Sequence, residues 1–283
     1  MESTTQLKND LGASFWGPLL GEVGDLESLE RRLSAALRSA SLAFQAVVCT
    51  GSERIFGHEA LLRAEEGWFD GPEEIVRAAA QVGLRHEVGR LVRRRLVHFM
   101  DTGVADDQAV FFVNVTGSDL LDPHLYAGSA ALSSYASRVV LELTDGPELR
   151  RVAGLSKRVA ALRQVGYRFA LEEASQGPDT LSSLDLVDPE LVRVGRGGVR
   201  GLEHSPEIRR RVTQVVSRAS ARGCLVVAGR VETASERNAL RDLGVDLLQG
   251  YFVQHPGARP IHSVRRASLA PPASPCPSPG VRS

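Results

Sequence analysis

Carboxylates set inside apolar runs are the residues most able to do chemistry here. Glu59 stands in RIFGHEALLRA (54–64), Glu142 in RVVLELT (138–144), and Glu172 with Glu173 close YRFALEE (167–173). Asn114 stands in AVFFVNV (109–115), Arg193 in LVRVG (191–195) and Gln249 in LLQGYF (247–252), while LVVAG (225–229) ends on Gly229. A charge in an apolar strand is costly unless it is paired, hydrogen-bonded or metal-bound. A lone strand glutamate is ordinarily a salt-bridged structural residue. Four carboxylates and an amide converging at one place instead suit Mg²⁺, Mn²⁺ or Ca²⁺, which take oxygen ligands. The pattern therefore points to metal or phosphate handling.

Convergence requires elements that bring these positions together. The runs above, with LAFQAVVC (42–49), read as eight strands. Most are nearly continuous apolar runs, as expected for strands buried on both faces. Helical spacing falls between them at 72–82, 86–100, 147–165, 205–222 and 233–243, and again from Asp25 as an N-cap. Ser205-Pro206 reads as a helix start, and Thr233 to Glu236 has capping-box spacing. Eight strands with intervening helices give an α/β fold of the TIM-like (β/α)8 barrel type. The first two strands are separated only by Thr50 to Glu53, too short for a parallel crossover, so one strand should run antiparallel. Barrel sites form at the C-terminal strand ends, where the polar residues lie.

Composition excludes several classes. Lys+Arg and Asp+Glu both number 34, so the formal charge is 0, against a dedicated nucleic-acid binder. No apolar run approaches a membrane span, and the N-terminus lacks a signal-peptide pattern. Cys49, Cys224 and Cys276 have no close spacing, which predicts no disulfide framework and a cytoplasmic setting. Residues 1–24 read as a flexible lead-in, 25–257 as the barrel and 258–283 as a disordered Pro/Ser-rich tail. The arginines of RLVRRRLVHF (90–99) read as a solvated helix surface, and Gly195 to Gly201 as a flexible loop without phosphate-loop spacing. No Ser-His-Asp or Cys-His arrangement is present. His58 alternates with Glu59 and should pack on the opposite strand face.

Gly57 to Arg63, GHEALLR, resembles the signature segment of EAL domains, the cyclic di-GMP phosphodiesterase fold. Phe44 to Val48, Val113 to Thr116, Leu141 to Asp145 and Leu247 to Pro256 resemble further family segments, in order, so the resemblance covers about residues 28–256. Active members are understood to hold two divalent metals that activate a water to cleave one phosphodiester. By resemblance, the metal set is Glu59, Asn114, Glu142, Glu172 and Glu173. The nucleotide set is Gln45, Leu62, Arg63, Asn114, Arg193, Gln249, Tyr251 and Pro256. Glu59 and Glu232 would be catalytic in an active enzyme. Asp145 would support the metal-side loop or cap a turn.

The departures fall in the catalytic half. The family's Asp-Asp-Phe-Gly reads Glu172-Glu173-Ala174-Ser175, with each carboxylate one methylene longer. Its Lys-Ile-Asp reads Arg193-Val194-Gly195; arginine stays protonated where lysine can tune its pKa. Its Ala-Glu-Gly-Val-Glu reads Ala228-Gly229-Arg230-Val231-Glu232, so a second-metal ligand becomes a glycine. Arg230 is expected to place a positive charge near that vacated position. The loop after the fifth strand, linked in the family to dimerisation, reads SQGPDTLSSL (175–184). The resemblance thus implies a degenerate, bacterial EAL domain with no useful hydrolysis. It would serve as a cyclic di-GMP receptor or as a signalling regulator acting through a protein partner. The alternatives are an active metal-dependent phosphodiesterase and a nucleotide-independent interaction protein. No cofactor is required, with Mg²⁺ or Mn²⁺ as the ion for any residual site. Neither a nucleic-acid polymer nor a membrane is implied, and a homodimer is allowed.

Overall fold

A computed structural model describes residues 24–64, 69–102, 108–126, 131–173, 181–195 and 199–262. The readings of 1–23 as a lead-in and of 263–283 as a disordered tail fall outside the described residues. So do residues 174–180 and 196–198, which belong to the loops read at 175–184 and 195–201.

Eight strands close into a barrel in sequence order. They are β1 (Ser41–Cys49), β2 (Ile55–Arg63), β3 (Phe111–Val115), β4 (Val139–Thr144), β5 (Arg168–Glu172), β6 (Leu191–Val194), β7 (Leu225–Ala228) and β8 (Leu247–Leu248). β1 runs antiparallel to both β2 and β8, and the remaining pairs are parallel. The antiparallel strand follows from the tight connection: Glu53 N–H donates to the Cys49 carbonyl with Glu53 in the left-handed region, reversing the chain at once.

The longer helices are α1 (Gly24–Ser39), α2 (Pro72–Gln81), α3 (Arg85–Asp101), α4 (Leu155–Val165), α5 (Pro206–Ser220) and α6 (Ala234–Asp242). Two start signals act as read from sequence. Ser205 Oγ accepts from Ile208 N–H with Pro206 in the first turn of α5, and Thr233 with Glu236 forms a complete capping box on α6. α1 begins at Gly24, one residue before the Asp25 cap expected for it. The expected helix 147–165 is broken into Pro147–Arg150 and α4, because Gly154 between them is left-handed at φ 67°.

Alternation along each strand sorts the side chains into two cores. Val47, Phe112, Val140, Ala170, Leu191, Val227 and Leu247 fill the barrel interior. Phe111, Leu141, Phe169, Val192, Val226 and Leu248 face outward against the helices. With a strand period of two, the positions two residues past the interior layer are Asn114, Glu142, Glu172, Arg193, Gly229 and Gln249. The polar mouth is therefore the next layer of the same barrel.

Residues 258–262 do not leave the body as a solvated tail. Gly257 pairs with Phe44 through two backbone hydrogen bonds, and Ile261 packs against the outer core. Cys224 is a free, buried thiol. Among the described residues no helix is long and apolar enough to cross a membrane.

Candidate functional site

Above the interior layer lies a cleft of about 810 Å³, within the 300–1,000 Å³ range usual for ligand sites. Its lining includes Gln45, Glu59, Leu62, Arg63, Asn114, Glu142, Glu172, Arg193, Glu232, Gln249, Tyr251 and Pro256. Thus the sequence-selected residues meet at one mouth, with Glu173 the exception.

Glu173 follows Glu172 directly, so the strand period turns it to the other side. Its side chain is 2% exposed, accepts from the Gly195 backbone N–H at 3.2 Å and lies 3.5 Å from Arg211 of α5. It ties the β5 and β6 ends to a helix and is not among the mouth carboxylates. His58 likewise turns from the mouth, and its Nε2 lies 3.1 Å from the Ile261 carbonyl.

At the mouth floor a single hydrogen-bond network absorbs the polar groups. Asn114 Nδ2 donates to Glu59 Oε1 at 2.7 Å, and Gln249 Nε2 donates to Glu59 Oε2 at 2.7 Å and to Gln45 Oε1 at 3.1 Å. Gln45 Nε2 donates in turn to the Gln254 carbonyl. Arg193 Nε and Nη2 both donate to the two oxygens of Glu142, while Nη1 donates to Gln249 Oε1 at 2.5 Å. Nη2 also faces Glu59 at 3.7 Å. Glu142 is 2% exposed and Arg193 is 5% exposed. Burial pushes the Glu142 carboxyl upward in pKa, and the guanidinium opposes it. Burial works against the Arg193 charge, but Glu142 and Glu59 outweigh it and hold the group above its ordinary range.

This donor set does not fit a divalent ion. Both oxygens of Glu142 and both of Glu59 already accept hydrogen bonds, and Gly229 offers no donor atom. Among the described residues no group of three or more His, Cys, Asp or Glu is arranged to hold a metal. A divalent ion about 4 Å from the guanidinium would be repelled by about 8 kcal/mol at an effective dielectric of about 20. The positive charge bonded into the floor network is that of Arg193. Arg230 lines the cleft with its backbone left-handed at φ 59°.

Other parts are local. Arg63 Nη1 donates to the Leu62 carbonyl at 2.8 Å. Tyr251, 57% exposed, stacks on His255 with ring centroids 4.2 Å apart. The Glu232 N–H donates to Glu236, so the α6 capping box also fixes that segment. Asp145 accepts from the Ser182 N–H and the Ser183 hydroxyl, anchoring the start of the described chain after β5. The sequence reading missed an ion pair at the rim, where Arg85 meets Glu148 at 2.7 Å. Nothing in either local pattern signals a partner 63 residues away.

The EAL domain family profile matches residues 27–256. The chain belongs to the EAL domain family. Among curated proteins it is 24% identical to the cyclic di-GMP phosphodiesterase PdeF of Escherichia coli K12, over 83% of this chain and 32% of PdeF. The chain spans between 32% and 43% of the first four curated relatives it matches. In structure it resembles the FimX EAL domain of Xanthomonas citri in complex with c-diGMP. The TM-score is 0.71 at 22% identity, covering 85% of this chain and 96% of that one. It also resembles Klebsiella pneumoniae BlrP1 in a manganese/cyclic di-GMP complex, with TM-score 0.67 at 25% identity, over 77% of this chain and 56% of that one. This EAL barrel thus shares its architecture with domains that bind the dinucleotide, while its floor is closed by an arginine.

Proposed function

We propose that this EAL domain is a non-catalytic cyclic di-GMP receptor that passes its signal to a protein partner in the cytoplasm. The observation that carries the reading is the Arg193 bridge across Glu142 beneath a cleft that stays open. The floor lacks a place for the ions that would make hydroxide, since a guanidinium cannot generate that nucleophile. The groups suited to the ligand remain on the cleft wall. Arg63 offers a planar fork to a phosphate, and Tyr251 offers a ring face at the rim.

Isothermal titration of the full chain with cyclic di-GMP, with and without Mg²⁺ or Mn²⁺, tests the reading when followed by product analysis. Binding that is indifferent to metal, with the nucleotide recovered intact, is the expected result. No heat at high micromolar nucleotide rules out the receptor and favours a nucleotide-independent interaction protein. A linear dinucleotide formed with Mn²⁺, and lost in Glu59→Ala, establishes an active phosphodiesterase instead.

A further inference from the structure

We infer that Arg193 is the standing cation of the barrel mouth, its guanidinium balancing the charges of Glu59 and Glu142 as a divalent ion would otherwise do, and holding Gln249 by a hydrogen bond. The reach of the side chain shows how this is built. Arg193 lies on β6 and Glu142 on β4, with β5 between them. The arm must therefore cross part of the barrel interior. β5 presents the small Ala170 beside Glu142, and its Glu172 stands beside Arg193 as a further carboxylate of the same layer. On the other flank, β7 runs on into Gly229, where an added Cβ would sit 3.3 Å from Arg193 Nη1. A longer side chain at 229 would compete for the space the guanidinium fills. The arginine and the glycine are thus one arrangement: the cation fits because its neighbour has no side chain.

The bonds fix its role. A buried carboxylate such as Glu142 is tolerable only with a partner of opposite charge or a proton. Arg193 supplies two hydrogen bonds to it and one to Gln249, whose amide then holds Glu59. This guanidinium thus joins the Glu142 side of the floor to the Gln249–Glu59 side. A floor balanced in this way gains nothing from added metal, and the inference holds whether or not a nucleotide binds.

Thermal unfolding of the full chain in chelator and in excess Mn²⁺ tests it without any nucleotide. The wild-type midpoint should be the same in both. Arg193→Met should unfold well below wild type in chelator and recover part of the loss in Mn²⁺, because the freed oxygens of Glu142, with the Glu59 carboxylate beside them, can then meet an ion. Arg193→Met/Glu142→Gln should unfold above the single variant and lose the Mn²⁺ response. If Arg193→Met does not fold at all, a folded double variant carries the same conclusion. The inference is overturned by a wild-type midpoint that Mn²⁺ raises, or by an Arg193→Met protein as stable as wild type. A single variant that folds but ignores Mn²⁺, or a double variant no more stable than the single, overturns it equally.

Discussion

Arg93 shows how much a single residue can hide behind its type. Its segment reads as basic and solvated, yet Arg93 lies three, four and seven residues before Leu96, Val97 and Met100, on the buried face of α3. It donates to Asp119 at 3.1 Å and to Asp122 at 2.9 Å, and Arg90 adds two more bonds to Asp122. Those bonds, Arg90's foremost, hold the Asp122 carboxyl down at about 2. The helical spacing was in the sequence; the acidic partners, beyond β3, were not visible to any local pattern. Removing one member of a buried pair leaves an uncompensated charge. Arg93→Met should therefore cost roughly 3–5 kcal/mol in urea unfolding at neutral pH. A loss below about 1 kcal/mol would show that Arg90 alone satisfies the cluster. Arg230 makes the opposite case. A non-glycine residue in the left-handed region carries about 1–2 kcal/mol of strain, so Arg230→Gly should raise stability by about 1 kcal/mol. An unchanged urea midpoint would mean that the side chain's own contacts offset the strain.

At the level of elements, period and capping carried most of the information. Seven strands appear within two residues of their expected ends, because apolar runs bounded by turn residues describe strands buried on both faces. The same period of two places Glu59, Asn114, Glu142, Glu172, Arg193 and Gln249 on one layer, and explains why Glu173 turns away. The eighth strand departs: LLQGYF reads as six residues, but β8 keeps only Leu247 and Leu248. The cause is Gly250, at φ 151°, where the chain crosses over the seventh-strand extension and an added Cβ would lie 2.2 Å from the Val231 carbonyl oxygen. The Val231 N–H donates to Gln249 and the Phe252 N–H to Val231, so the crossing is pinned on both sides. A run of apolar residues signals burial and leaves such a close approach unmarked. Gly250→Ala must push these backbones apart, displacing Gln249 from the floor network. It should cost at least 2 kcal/mol in urea unfolding, as overpacking of a tight site does. A variant with wild-type stability would show that the crossing is free to relax.

For the molecule as a whole, closure depends on a segment that composition alone assigns to a tail. The chain passes Pro256, pairs Gly257 with Phe44, and brings the Ile261 carbonyl to His58 Nε2 at 3.1 Å, joining the C-terminal segment to β2. The carbonyl can only accept, so the ring carries its proton on Nε2. Nδ1 is then buried without a hydrogen-bond partner. Protonating Nδ1 would bury an N–H with nothing to receive it. Burial is the main reason the His58 pKa falls from 6.5 to about 4, reinforced by His262, while the bond to Ile261 opposes the shift. In the unfolded chain the ring titrates at its ordinary value. Above pH about 6.5 both states are neutral and the linkage costs nothing. As pH falls toward 4 the unfolded state binds the extra proton, and stability declines by up to about 3 kcal/mol. The slope thus belongs to acid, not alkali. His58→Gln keeps an N–H for Ile261 and removes the titration, so its stability should decline less than that of wild type between pH 6.5 and 4. Equal declines in urea unfolding across that window would place the acid sensitivity elsewhere, in carboxylates such as Asp122 whose titration lies lower still.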